Sequence, residues 1–387
     1  MSSRSDVAGS SNTSLSPRMW ANIFAGLAAS LVGIGLARFA YTPLIPSLIK
    51  AHWFATNDVV YLGAANLAGY LLGALVGRPL AARTSNVAML RGMMLLATVS
   101  LLACAFPLSV AWFFVWRALS GVAGGVIMVL VAATVLPQVP STKRGIASGA
   151  VFLGLGLGIE ASGTVVPLLL RRGLAATWVG LAVISAVLSI ASWPCWPSEA
   201  QSETQRTSQS RRASKNSAQP SAGTSGRDII QIYIVYALMA LAVVPPMVFL
   251  ADFVVRGWMG GAGEHVGAVY WILYGLGSIG GPPLYGWLAD RLGAHATVRS
   301  LLLIQVATLI GLAVVRAHWL FAVIAVVLGT FPAGIVPMTL AWIREARPTS
   351  AEIQDILWSR TTSIFAAVQA AAAYAYSAVF AATNGNY

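Results

Sequence analysis

Three charged residues stand inside long apolar runs: Arg38, Arg117 and Glu160. A charge inside hydrocarbon costs at least about 2.5 kcal/mol on insertion scales, so each needs a partner, a wet gap or a route back to the interface. With each run read as a helix rising 1.5 Å per residue, Arg38 lies roughly 9 Å, Arg117 roughly 11 Å and Glu160 roughly 15 Å from the same membrane face. At such similar depths the three could meet. Burial favours a neutral carboxylic acid and a close guanidinium favours the ionised one, so a movement that separates the two changes proton occupancy. Glu160 coupled to Arg117, with Arg38 nearby, is the expected proton relay. Two plainer readings stand beside it: the arginines reach back to the outer interface, or Glu160 forms a static ion pair.

Asn66, Tyr70, Tyr270, Trp271, Tyr274 and Gln369 are the other side chains whose types invite a function. Aromatic rings and amides around a gap suit an amphipathic organic solute better than a bare ion. The alternative is that they are packing aromatics and that Gln369, like Gln305, ties helices by a hydrogen bond. Asp252 and Arg256 are one helical turn apart and read as a surface pair or, alternatively, a gate. Arg360 lies close enough to a helix end to reach the interface. No Gly-x-x-x-x-Gly-Lys-Ser/Thr run occurs, which disfavours nucleotide-driven transport, and no pair of catalytic groups at useful spacing points to an enzyme. His52, His265, His295 and His318 are scattered in or beside loops, so neither metal nor cofactor is expected.

These residues need elements to hold them. Apolar residues are 57% of the 387 and charged ones 9%, which is the composition of a polytopic membrane protein rather than a soluble one. Apolar spans of helical length fall near 20–44, 59–80, 88–107, 110–136, 146–170 and 174–193, then near 229–251, 266–288, 298–315, 319–342 and 354–381. Residues 1–19 read as a cytoplasmic tail, 20–194 as a six-helix bundle, 195–227 as a disordered cytoplasmic linker, and 228–387 as a second bundle with five helices present. A lost twelfth helix is the favoured account of the odd number. The +12 charge does not mark a nucleic-acid binder, because the basic residues lie in short loops. With the amino terminus inside, sixteen Lys and Arg fall on the cytoplasmic side and five outside, the orientation expected of a bacterial inner-membrane protein. Cys104 and Cys195 then lie towards opposite faces, which excludes a disulfide.

One stretch occurs twice. Gly63–Leu80 matches Gly267–Leu284, 204 residues further on, at eight of eighteen positions, including Tyr70/Tyr274, Gly73/Gly277, Gly77/Gly281 and Pro79/Pro283. Half a chain is the offset that a duplicated helical unit predicts. Glycines at fourfold spacing, Gly69, Gly73 and Gly77 on one span and Gly121 and Gly125 on another, allow close helix approach.

Local patterns resemble those of the major facilitator superfamily. Gly286, Asp290, Arg291 and Gly293 are similar to its loop motif, Arg117-Ala-Leu-Ser-Gly121 to its fourth-helix pattern, and Gly149 to Pro167 loosely to the glycine-rich fifth helix of exporters. Gly33 to Pro46, Leu62 to Tyr70 and Met247 to Gly257 resemble the YbfB/YjiJ-like branch. The resemblance implies an all-α fold of two six-helix bundles and a monomeric, proton-coupled secondary transporter that moves a small organic solute by alternating access. It also implies that Asp290 caps a helix end and holds a gate shut. The first-half loop, Gly77 to Arg83, lacks the corresponding acid, which keeps a second reading open: a membrane sensor or scaffold on a transporter fold.

Overall fold

The computed structural model describes residues 16–198, 226–254, 264–347 and 351–383. The tail, most of the linker, Arg256 and the side chain of Asp252 lie outside the described residues, and with them the Asp252 and Arg256 pair. Eleven long helices follow the expected spans among those described, without strands: α1 (Pro17–Ser30), α2 (Thr56–Ala81), α3 (Asn86–Ala103), α4 (Val110–Val135), α5 (Arg144–Gly163), α6 (Leu174–Ser192), α7 (Gly226–Asp252), α8 (Glu264–Leu292), α9 (Ala294–Val314), α10 (His318–Ala346) and α11 (Ala351–Ala382).

Eight of these, the last turns and short extensions included, are long and apolar enough to cross a membrane by length and composition. The others are α2, α8 and α11, which carry the glycines, amides and aromatics singled out above. Large apolar side chains cover the outer surface, among them Leu303, Ile190 and Val314, as lipid contact requires.

Helix ends differ from the sequence reading for local reasons. α1 begins three residues early because Ser16 accepts the Met19 N–H as N-cap and Pro17 takes the first turn, where its missing N–H costs nothing. Beyond Ser30 the same span continues as a π-helix over Leu31–Phe39, a wider turn of the kind that clusters at functional sites. The span expected to reach 170 breaks at Thr164, whose hydroxyl bonds back to the Glu160 carbonyl at 2.9 Å, three residues before Pro167.

The repeat is written into the packing. A Cβ on Gly73 would run into the Val122 carbonyl, and one on Gly277 into that of Val326. Gly77 faces Val126 and Gly281 faces Thr330; Gly125 lies on the Tyr70 carbonyl and Gly329 on that of Tyr274. Every one of these pairs is related by the same offset, so α2 sits on α4 as α8 sits on α10. Side chains as small as hydrogen are required there because backbone meets backbone.

Two seams join the halves of the chain. Along one, Gly145, Gly149 and Gly156 of α5 lie against the carbonyls of Gly286, Pro282 and Ser278 of α8. Pro282 has no N–H to occupy the Ser278 carbonyl, which leaves that oxygen at the seam. Along the other, Trp358 of α11 donates its indole N–H to the Met128 carbonyl of α4 at 3.0 Å and packs on Phe152 and Tyr236.

Candidate functional site

Between the halves, away from the end at which α1 begins, lies a cavity of about 260 Å³. Its wall joins Arg38, Asn66 and Arg117 of the first half to Met247, Trp271 and Gln369 of the second. The π-helix presents Arg38, which donates to Gln369 Oε1 at 2.5 Å and stands 5.3 Å above the Tyr70 ring. Arg117 is 2% exposed; it donates to the Ala37 carbonyl at 2.7 Å, within that same π-helix, and lies 4.3 Å from the Tyr41 ring. Both guanidiniums are engaged by groups of the protein. Cation–π contact with a ring desolvates the charge at a gain of up to about 2 kcal/mol, less than the cost of leaving it in lipid.

Asn66 is placed by its amide, whose Nδ2 donates to Ser120 Oγ at 2.9 Å and to the Arg117 carbonyl at 3.3 Å, where Gly121 lets α2 and α4 approach. Asn66, Trp271 and Gln369 line this cavity. Tyr70, Tyr270 and Tyr274 do not sit on the wall, whose tyrosines are Tyr41 and Tyr374. Tyr70 supports Arg38 from beneath; Tyr270 is turned into the second half, its hydroxyl on the His318 carbonyl at 3.3 Å and its ring edge-on to Phe321; Tyr274 stacks on Trp271, 5.3 Å between centroids. Helical geometry decides this: positions one to four residues apart on α2 or α8 point in different directions, and only some face the gap.

Glu160 is the residue that sequence spacing placed wrongly. No ion pair joins it to Arg117, whose guanidinium is engaged by Ala37 and Tyr41. Its Oε2 instead lies against Gly275 of α8, buried and without a hydrogen-bond partner. Depth along a helix axis had matched; the face of α5 had not, because Glu160 follows the glycines Gly149 and Gly156 onto the seam with α8. Trp271, which donates to Ser162 Oγ at 3.1 Å, is the bridge between this seam and the cavity.

At the opposite end the loop motif closes the structure. Asp290 at the end of α8 accepts the N–H of Gly145 through Oδ1 and of Ile146 through Oδ2, each at 3.0 Å, capping the start of α5 in the other half. Gly286 admits the Gly145 carbonyl, Arg291 lies 4.7 Å from the Trp287 ring, and Gly293 turns the chain at φ +81°, a conformation that favours glycine. Glu345 then caps α9 through the Ala294 N–H at 2.6 Å. In the first half, where the acid is missing, the comparable hollow is lined by Arg78, Asn86 and Asp355.

Tyr41, Ser162, Trp358 and Glu345 were missed by the sequence reading. For Tyr41 a signal existed, an aromatic three residues after a membrane arginine. The others are ordinary residues until a second helix meets them. Arg360 is exposed. Both cysteines are free.

The profile of the family described as uncharacterised MFS-type transporter YbfB matches residues 30–387. Comparison with curated proteins gives no match. Among solved structures, a double-tryptophan mutant of XylE aligns with TM-score 0.67 at 15% identity over 94% of this chain and 88% of that one. The proton:xylose symporter XylE bound to 6-bromo-6-deoxy-D-glucose aligns with TM-score 0.66 at 14% identity, over 92% and 87%. A D-xylose-proton symporter aligns with TM-score 0.60 at 15% identity, over 92% and 88%. At such identity the likeness is one of fold.

Proposed function

We propose, because this chain belongs to the MFS-type transporter family described by YbfB, that it is a proton-coupled secondary transporter carrying a small organic solute by alternating access. It is an integral membrane protein of transporter fold and not an enzyme. The observation that carries the finer reading is a cavity walled by both halves and closed at one end by a cap that crosses from one half to the other. Rocking the halves apart at that cap and together at the cavity would expose the same wall to the other side. The excess of Lys and Arg at the capped end supports placing it in the cytoplasm, in an inner membrane, with the amino terminus inside.

Glu160 supports proton coupling from a place other than the one expected. Its Oε2 is buried at the seam without a partner, so the ionised carboxylate there loses part of its hydration. Opening the seam would hydrate it, so proton occupancy would follow conformation. The proton:xylose and D-xylose-proton symporters that share the fold add a precedent. Proteoliposomes loaded with a pH-sensitive dye and given a panel of small solutes test the reading: solute-linked proton movement is expected, and its loss in correctly inserted Glu160→Gln. Undiminished coupling in that variant would remove Glu160 from the mechanism, and the absence of any solute-linked proton flux would remove the coupling itself.

A further inference from the structure

We infer that the cavity between the halves is built for a small organic anion, whose carboxylate is held by Arg38 and Arg117. This rests on the transporter reading for its purpose but on the wall itself for its evidence. Each guanidinium has five N–H donors. Arg38 spends one on Gln369 and Arg117 one on Ala37, and Arg117 Nε is buried with no partner at all. The charged and titratable neighbours that bear on the two are Tyr70, Tyr41, Cys104 and, for Arg38, Arg117 itself. Among the described residues no carboxylate touches either one, and Glu160 is committed to the seam with α8. Two positive charges therefore share one low-dielectric gap with most of their donors unused. A buried charge left so is strongly unfavourable, and a planar guanidinium meets a carboxylate through two parallel hydrogen bonds.

Three other polar groups of the wall are already engaged, while the Thr42 and Tyr374 hydroxyls also line it. Tyr41 donates to the Val59 carbonyl at 2.7 Å, Asn66 Nδ2 to Ser120 and Arg117, and the Trp271 indole to Ser162. Beside those two hydroxyls, the charged free donors of the wall are the two guanidiniums, which is the pairing an anionic group requires. Phe39, Met247, Val248 and Trp271 supply apolar surface, which favours an organic acid over an inorganic anion. At about 260 Å³ the space falls below the range of drug-sized sites and suits a compact solute. The larger hollow of about 360 Å³ among α7, α9 and α11 offers no such charge: Tyr376 is the only polar side chain on its wall.

Thermal unfolding of the purified full chain in nanodiscs, titrated with sets matched in shape and differing in charge, tests the inference. The sets are benzoate, benzamide and benzylamine; hexanoate, hexanamide and hexylamine; and succinate and succinamide, with phosphate and chloride as inorganic controls. At least one carboxylate is expected to stabilise the protein where its amide and amine do not. Its binding should weaken about ten- to a hundredfold in Arg38→Gln and in Arg117→Gln, with part restored in Arg117→Lys. Should Arg117→Gln fail to fold, Arg38→Gln and Arg117→Lys carry the comparison. No stabilising carboxylate, equal effects of acid and amide, a response to phosphate alone, or unchanged binding in the Gln variants would each overturn it. Binding needs no flux, so the two proposals separate: carboxylate binding without solute movement refutes transport alone, and transport of a neutral solute without carboxylate binding refutes the anion alone.

Discussion

Replacing Asp290 by alanine removes a carboxylate that accepts two backbone N–H groups at 3.0 Å from the first residues of α5. Hydrogen bonds to a charged group contribute about 1.5–3 kcal/mol each when buried, and a helix amino terminus adds about 0.3–1 kcal/mol at a surface. Asp290 is exposed, so water replaces much of what is lost and the low end applies, about 1–2 kcal/mol in all. Since the cap crosses between the halves, that energy belongs to the conformation closed at this end. Its loss shifts the equilibrium towards opening there by roughly five- to thirtyfold. Asp290→Asn, which keeps one acceptor, should shift it less. Spin labels on Arg83→Cys and Arg299→Cys, both exposed positions in opposite halves, with Cys104 and Cys195 replaced by serine, report the separation at the capped end. A longer-distance population that grows in the order wild type, Asn, Ala is the expected result. Identical distance distributions in all three would show that the contact does not hold the gate, whatever its geometry.

Two stability measurements probe the packing. Gly277→Ala places a methyl group on the Val326 carbonyl, so unfolding in detergent should come earlier by about 1–3 kcal/mol, whereas Gly92→Ala, with nothing within 4 Å, should hold or gain about 0.5–1 kcal/mol. Equal melting temperatures for the two would contradict the close approach of α8 and α10. Trp358→Phe keeps an aromatic ring but forfeits the hydrogen bond to the Met128 carbonyl and part of the buried indole volume, which should cost about 1–3 kcal/mol and loosen the second seam, visible as faster hydrogen exchange around Met128 of α4. Unchanged exchange would place the Trp358 indole outside the contacts that join the halves.

Amino-acid order alone was enough to anticipate eleven long helices, their repeated pattern and the loop motif around Asp290. The reason is that lipid forces every backbone group into a helix and every charge into an explanation, so both leave marks on a single line of text. Even the repeat is legible, since Gly73, Gly77, Gly277 and Gly281, matched at the 204-residue offset, all admit a neighbouring backbone. Which way each helix turns was decided by tertiary packing. Arg38, Arg117 and Glu160 have similar depths, yet a helix points successive side chains about 100° apart and only contact with a second helix fixes the zero of that angle. The packing of α5 on α8 sent Glu160 to the seam, and the π-helix in the first span, invisible in periodicity, brought Arg38 and the Ala37 carbonyl to the cavity instead. The chemistry of the wall, two cations without an acid among the described residues, exists only in three dimensions.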